Sequence, residues 1–157
     1  MPSDKTFERL HNVATGAANR NVKAREAAEY IRAARNYRWV GIYDVTPMEI
    51  VAIAWTGENA PTFPRFPLNQ GLTGAAVASR QNVIVQDVTK DSRYLTTFGS
   101  THAEAIFVVA SPANGRIVGT IDVESELTNA FSPDDERFLS CCAEAIKPLW
   151  LESAVKK

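Results

Sequence analysis

Four residues of this chain combine side-chain types suited to holding a cationic group. Trp39 and Tyr43 flank Gly41 in the segment Trp39-Val40-Gly41-Ile42-Tyr43, and Asp122 and Glu124 alternate in Ile121-Asp122-Val123-Glu124. In extended chain, residues two apart share a face. Trp39, Gly41 and Tyr43 therefore point one way, and so do Thr120, Asp122 and Glu124. The two carboxylates stand roughly 6–7 Å apart by strand rise and can converge on one cation. Aromatic faces attract cations as well, and a glycine between two aromatics leaves room over the strand for a ligand or a neighbouring backbone. A small molecule with an ammonium group suits this set. The alternative reading is a solvated acidic face with aromatics in the core, and spacing alone leaves both open.

Other chemistry finds little support. His11 and His102 have no cysteine or second histidine at ligand spacing, so no metal site is expected. His102 reads as a surface residue. Ser125 lacks the glycine-flanked turn of a hydrolase nucleophile. Gly71-Leu72-Thr73-Gly74 has no lysine to make it a phosphate-binding loop, and its glycines read as turn formers. The chain has two cysteines, the neighbours Cys141 and Cys142, and both read as structural.

The elements that must position these residues follow from periodicity. Asp4 to Arg35 reads as helical, with Phe7, Leu10 and Val13 at helical spacing and an interruption at Asn19–Asn21. A second helix, Val22 to Arg35, is rich in Ala, Arg and Glu. Trp39–Asp44 and Ile50–Trp55 read as strands joined by a Thr46-Pro47 turn. Gly57 to Asn69, with Pro61, Pro64 and Pro67, reads as an extended connection. A short helix is expected from Ala75 to Ser79, opened by the glycine segment, and a strand at Val83–Val85. Asp87 to Thr101 reads as loop. Ala105–Ala110, apolar on both faces, reads as a central strand, turning at Asn114-Gly115 into Ile117–Glu124. A last helix starts at Ser132-Pro133-Asp134-Asp135, with a capping serine and acids in its first turn. Phe138, Cys142, Ile146 and Leu149 line one face of it, and Pro148 bends or ends it. This order predicts an α+β fold: an antiparallel sheet with the terminal helices on one face.

Composition sets the outer bounds. At 157 residues, 45% hydrophobic and 22% charged, the chain is expected to form one domain with a core that needs no disulfide or metal. A formal charge of −1 offers no field for phosphate backbones or anionic lipid, so neither nucleic acid nor membrane is an expected partner. The start has no apolar signal segment, and the longest apolar run, Ala105–Ala110, falls far short of the ~20 residues that cross a bilayer. With so few cysteines, a reducing cytoplasm is the expected compartment.

Two separated blocks resemble the GAF domain. The first is Gly71-Leu72-Thr73-Gly74-Ala75-Ala76-Val77-Ala78-Ser79 leading into Val83-Ile84-Val85-Gln86-Asp87-Val88. The second is Asn114 to Ser125, followed by Phe131 and Asp134-Asp135-Glu136. The resemblance covers about residue 20 to the C-terminus. It implies helices behind an antiparallel sheet of about six strands and a ligand pocket on the other face. Within that family, Arg38-Trp39-Val40-Gly41-Ile42-Tyr43 and Ile121-Asp122-Val123-Glu124-Ser125 are similar to segments of the stand-alone free methionine-(R)-sulfoxide reductases. That similarity implies Trp39, Tyr43, Asp122 and Glu124 as pocket residues, with Glu104 as a further carboxylate. Those enzymes attack the sulfoxide with cysteine. Here Thr73 stands at one cysteine position and Tyr94–Thr101 replaces the loop that carries the catalytic one.

The resulting expectation is a non-catalytic GAF domain that binds an amine-bearing metabolite, needs no cofactor, and dimerises through its terminal helices, with Trp150 as a contact. The alternatives are a reductase with altered chemistry, a cyclic-nucleotide sensor and a purely dimerising module. The nucleotide reading draws on Phe131 with Asp135-Glu136, but the Asn-Lys pair that precedes them in that signature is missing.

Overall fold

The computed structural model describes residues 4–96 and 98–150. The elements are α1 (Asp4–Thr15), α2 (Arg20–Arg35), β1 (Trp39–Val45), β2 (Glu49–Thr56), β3 (Arg65–Pro67), α3 (Gly71–Ser79), β4 (Val83–Val85), β5 (Ala103–Ala110), β6 (Ile117–Ser125) and α4 (Pro133–Ala145). The strands form one antiparallel sheet in the order β3-β2-β1-β6-β5-β4. Two three-stranded meanders, β1–β3 and β4–β6, thus meet at the central pair β1/β6.

This order explains where the helices lie. The chain leaves the first meander at edge strand β3 and enters the second at the opposite edge, β4. The connection must cross a face of the sheet, and it carries α3 across. Leu72 and Ala76 of α3 pack there with Val85, Val88 and Ile106. The other face takes α1, α2 and α4. There, Leu10, Ala24, Ala27, Ala28, Ile31, Phe138, Leu139 and Cys142 share one core with Val40, Ile42, Phe107, Ile121 and Val123. The alanines of α2 let its backbone approach the strands closely, while the larger side chains of α4 fill the rest.

Local signals fix the helix ends. Asn19 accepts from Val22 N and caps α2, and Asn36 closes it in the left-handed region at φ 57°. Ser132 and Asp135 form a reciprocal capping box on α4, with Pro133 in its first turn. Asp135 also accepts from Tyr37 Oη at 2.6 Å and from Arg35 Nε at 2.7 Å, so the end of α2 is tied to the start of α4.

Several sequence expectations need correcting. The helical turns of α3 begin at Gly71, whose φ of +72° suits glycine, and not at Ala75. The Pro-rich connection contains β3, a three-residue edge strand paired with Glu49–Val51. Pro67 ends that strand, and edges are where a sheet tolerates proline. The loop 87–101 includes a short 3-10 turn at Val88–Lys90. The final helical run breaks at Ile146-Lys147, before Pro148, because proline disfavours helical geometry in the residue ahead of it.

Trp150, expected as a contact between subunits, also has partners within the chain. Its Nε1 donates to Asp44 Oδ1 at 2.9 Å, and Arg20 stacks on its ring. The ring lies against Gly119, where a Cβ would fall 2.1 Å from Trp150 Cζ2. Gly119→Ala is expected to cost about 1–3 kcal/mol by overpacking. Trp150→Ala in the Gly119→Ala background should recover part of that loss in a denaturant titration. A Gly119→Ala protein as stable as the parent would contradict the packing described.

Candidate functional site

The β1/β6 register builds the site. Trp39 faces Glu124, Gly41 faces Asp122, and Tyr43 faces Thr120. On the far side of β6, Glu104 lies opposite Glu124, and Ile106 opposite Asp122. All of these share the face covered by α3. Glu104, Asp122 and Glu124 are 4%, 4% and 1% exposed, and each offers a carboxylate oxygen within 4.8 Å of the others'. Three buried carboxyls this close cannot all ionise without a counter-charge. Burial first, then the neighbouring acids, push Glu104 and Asp122 well above the usual carboxylate range. Burial and the same acids also hold the Tyr43 phenol in its protonated form.

Two buried acceptors on this face lack hydrogen-bond partners, Asp122 Oδ1 and Thr120 Oγ1. Glu124 accepts from Thr101 Oγ1 at 2.8 Å, which ties the end of the 87–101 loop to the acidic cluster. A cavity of about 20 Å³ opens onto Glu104 and Asp122, with space on the scale of one water. Tyr43, Phe63, Phe66 and Leu95 wall it, and the first turn of α3 contributes Gly71, Leu72 and Thr73.

The predicted residues divide by position. Tyr43, Glu104 and Asp122 line the cavity, and Glu124 completes the acidic cluster. Trp39 is 1% exposed and does not line that cavity. Its indole folds over Gly41, where a Cβ would meet Trp39 Cη2 at 2.5 Å. The space the glycine leaves is therefore filled by its own neighbour. Trp39 Nε1 donates to Asn59 O at 2.9 Å, and Phe98 packs edge-on against the ring at 5.3 Å.

The sequence reading missed Phe63, Phe66 and Leu95, and placed Thr120 on the shared face without giving it a role. The two phenylalanines sit among the prolines that marked an extended segment, and Leu95 lies within a polar loop. Only Thr120 carried a signal, through its alternation with Asp122. Thr73 lines the cavity, at the position where the resemblance places a cysteine. His11 and His102 are exposed. Cys142 is buried in the helix-side core and Cys141 is exposed on α4. Burial pushes the Cys142 thiol up, far from thiolate character. Of the Tyr94–Thr101 loop, Thr97 lies outside the described residues.

The profile of the GAF domain matches residues 19–147. The chain belongs to the GAF domain family. GAF domain-containing protein A of Dictyostelium discoideum is 27% identical over 138 residues, spanning 87% of this chain and 85% of that protein. Among solved structures, the type II free methionine-R-sulfoxide reductase of Thermoplasma acidophilum is 30% identical. It superimposes with a TM-score of 0.79 over 91% of this chain and 96% of its own. The free methionine-R-sulfoxide reductase of Neisseria meningitidis, solved with its substrate, is 23% identical and shares the fold at a TM-score of 0.85, covering 100% of this chain and 96% of its own. No helix among the described residues is long and apolar enough to cross a membrane.

The acidic cluster sets a pH dependence in this GAF domain. Because Glu104 and Asp122 titrate above their unfolded values, the folded protein holds more protons than the unfolded chain between those two ranges. The stability of these groups is therefore full below the unfolded pKa of about 4 and is lost as pH rises through the folded values. Glu104→Gln is expected to raise the melting temperature at neutral pH by about 2–4 °C, the equivalent of ~1 kcal/mol for a chain this size. That gain should shrink as the pH falls toward about 4. Thermal melts of both proteins across this range check it; a variant less stable than the parent at neutral pH would contradict the burial cost.

Proposed function

We propose that this GAF domain is a non-catalytic receptor for a small amine-bearing metabolite, bound by its ammonium group at Glu104, Asp122 and Glu124. The carrying observation is the buried trio of carboxyls at an aromatic-walled cavity, with Asp122 Oδ1 left without a hydrogen-bond partner. An ammonium supplies the missing positive charge and three donors. Tyr43 stands beside the cluster in the cavity wall, and Trp39, with Phe98 packed on it, supports the strand beneath. Occupancy would be passed on through shape, since ligand binding needs Phe63, Leu95 or the 87–101 loop to move: the cavity of about 20 Å³ is smaller than any metabolite.

The similarity to proteins named free methionine-R-sulfoxide reductases makes methionine sulfoxide and other free amino acids the first ligands to try. Reduction through cysteine requires a thiolate at the pocket. The chain's two cysteines sit on α4, behind the sheet, and the Thr73 hydroxyl cannot form a disulfide. Cyclic nucleotides fit poorly, since their phosphate would meet three carboxylates. A homodimer through the terminal helices, of which α1 and α4 pack side by side, is a separate reading; light scattering at several concentrations reports it.

Isothermal titration with methionine sulfoxide, methionine and simple alkylamines is expected to show binding. Affinity should rise with pH from acid toward neutral, with protons released, because the carboxyls must ionise to pair with the ligand. Asp122→Asn and Glu124→Gln should each weaken binding about 10–100-fold, the scale of one charged hydrogen bond. No heat from any of these amines, in a protein that melts cooperatively, would refute the receptor. A thiol-coupled turnover assay on free methionine sulfoxide should stay at background; turnover abolished by Thr73→Ala would establish an enzyme instead.

A further inference from the structure

A groove of about 490 Å³ lies away from the acidic face, between the β1–β2 turn, the β5–β6 hairpin and the end of the C-terminal helical run. Arg20, Arg116 and Lys147 line it, with Trp150 as an aromatic wall. A second cavity of about 230 Å³ adjoins it, sharing Val45, Thr46, Pro47 and Arg116, and adds Arg80. The volume falls in the range of small-molecule sites. In a chain whose formal charge is −1, four cations around one groove are a local concentration.

Only two of the four cations are matched by carboxylates. Arg20 is bidentate with Asp44, with Nη1 to Oδ2 at 2.9 Å, and Lys147 pairs with Glu144 at 2.9 Å. Asp44 is fully used, since Trp150 Nε1 takes its Oδ1 as well. Arg80 donates to a backbone oxygen, Gly115 O, at 2.6 Å. Neither Arg80 nor Arg116 has a carboxylate partner among the described residues. Arg20 Nε is a buried donor with no acceptor. The two adjoining cavities together therefore hold two uncompensated guanidinium groups, one unmet donor and an aromatic wall, with Val45, Pro47 and Val118 as apolar lining.

We propose that this groove is a second ligand site, which takes a small organic anion bearing at least two negative charges. Guanidinium forks match phosphate and carboxylate oxygens in pairs. The apolar lining of Val45, Pro47 and Val118, with Trp150 at the edge, suits a ligand with an apolar body, beyond a bare inorganic ion. The site does not draw on the acidic cluster, since Glu104, Asp122 and Glu124 line neither cavity. The groove contacts Asp44, next in sequence to Tyr43 of the acidic site.

Titration calorimetry at low ionic strength with pyrophosphate, citrate and a nucleoside diphosphate tests the site. Pyrophosphate and citrate separate phosphoryl from carboxyl recognition, and the nucleotide adds a ring for Trp150. Binding of at least one is expected, with the organic ligand tighter than the inorganic one and affinity falling as salt rises. Arg116→Glu and Arg80→Glu, both at exposed positions that leave the core intact, should each weaken it tenfold or more. Lys90→Glu, an exposed cation elsewhere, should change it little. Three results overturn the proposal: no binding of any of the three at millimolar concentration, binding that survives both arginine variants, or equal loss with Lys90→Glu. Circular dichroism of each variant confirms that the fold is retained.

Discussion

The pairing of β1 with β6 is the constraint on which the rest depends. These strands are distant in sequence, and their register joins two meanders into one sheet. It also sets Trp39 against Glu124, Gly41 against Asp122 and Tyr43 against Thr120. Side chains alternate across a strand, so a slip of one residue would send every acid to the helix side and every aliphatic residue to the pocket side. The aliphatic face guards against this slip. Val40, Ile42, Ile121 and Val123 are each wholly buried against the helices, and exchanging them for carboxylates would bury unpaired charge. The helix-side core thus holds the acidic face in place without touching it.

That acidic face is costly to the empty protein. Glu104 and Asp122 must either stay protonated or repel one another, and their raised titration records the strain. Such a cluster is what a cation receptor needs, since the ligand then supplies the charge that folding left unbalanced. Stability lost in the empty state is returned on binding. The aromatic side chains beside it, Trp39 under Phe98 and Tyr43 against Phe66, add to its burial. The tie from Thr101 to Glu124 anchors the loop that closes over it.

Two kinds of chemistry also occupy separate parts of the molecule. Cations gather at the Arg20–Trp150 groove and carboxylates behind α3, with the cysteines on neither surface of the cavity. A formal charge near zero conceals this arrangement. Asp44 stands between the two regions. It follows Tyr43 in the chain, faces the other way, and holds Arg20 and Trp150 together.

Much of this was legible in the residues. Alternation in Trp39–Tyr43 and Thr120–Glu124 gave the shared face, because strand geometry needs no tertiary information to fix which side chains point together. The capping serine of α4 and the Asn114-Gly115 turn were equally local. The rest depended on contacts between distant segments. That Phe63, Phe66 and Leu95 wall the cavity follows from the crossover of α3 and from loops whose composition says only that they are irregular. That Trp39 fills the space over Gly41, and that Trp150 lies on Gly119, depends on which rotamers the neighbours leave open. Sequence decided which side chains share a face; tertiary packing decided how deeply the acids are buried, and burial is what pushes Glu104 and Asp122 above the ordinary carboxylate range.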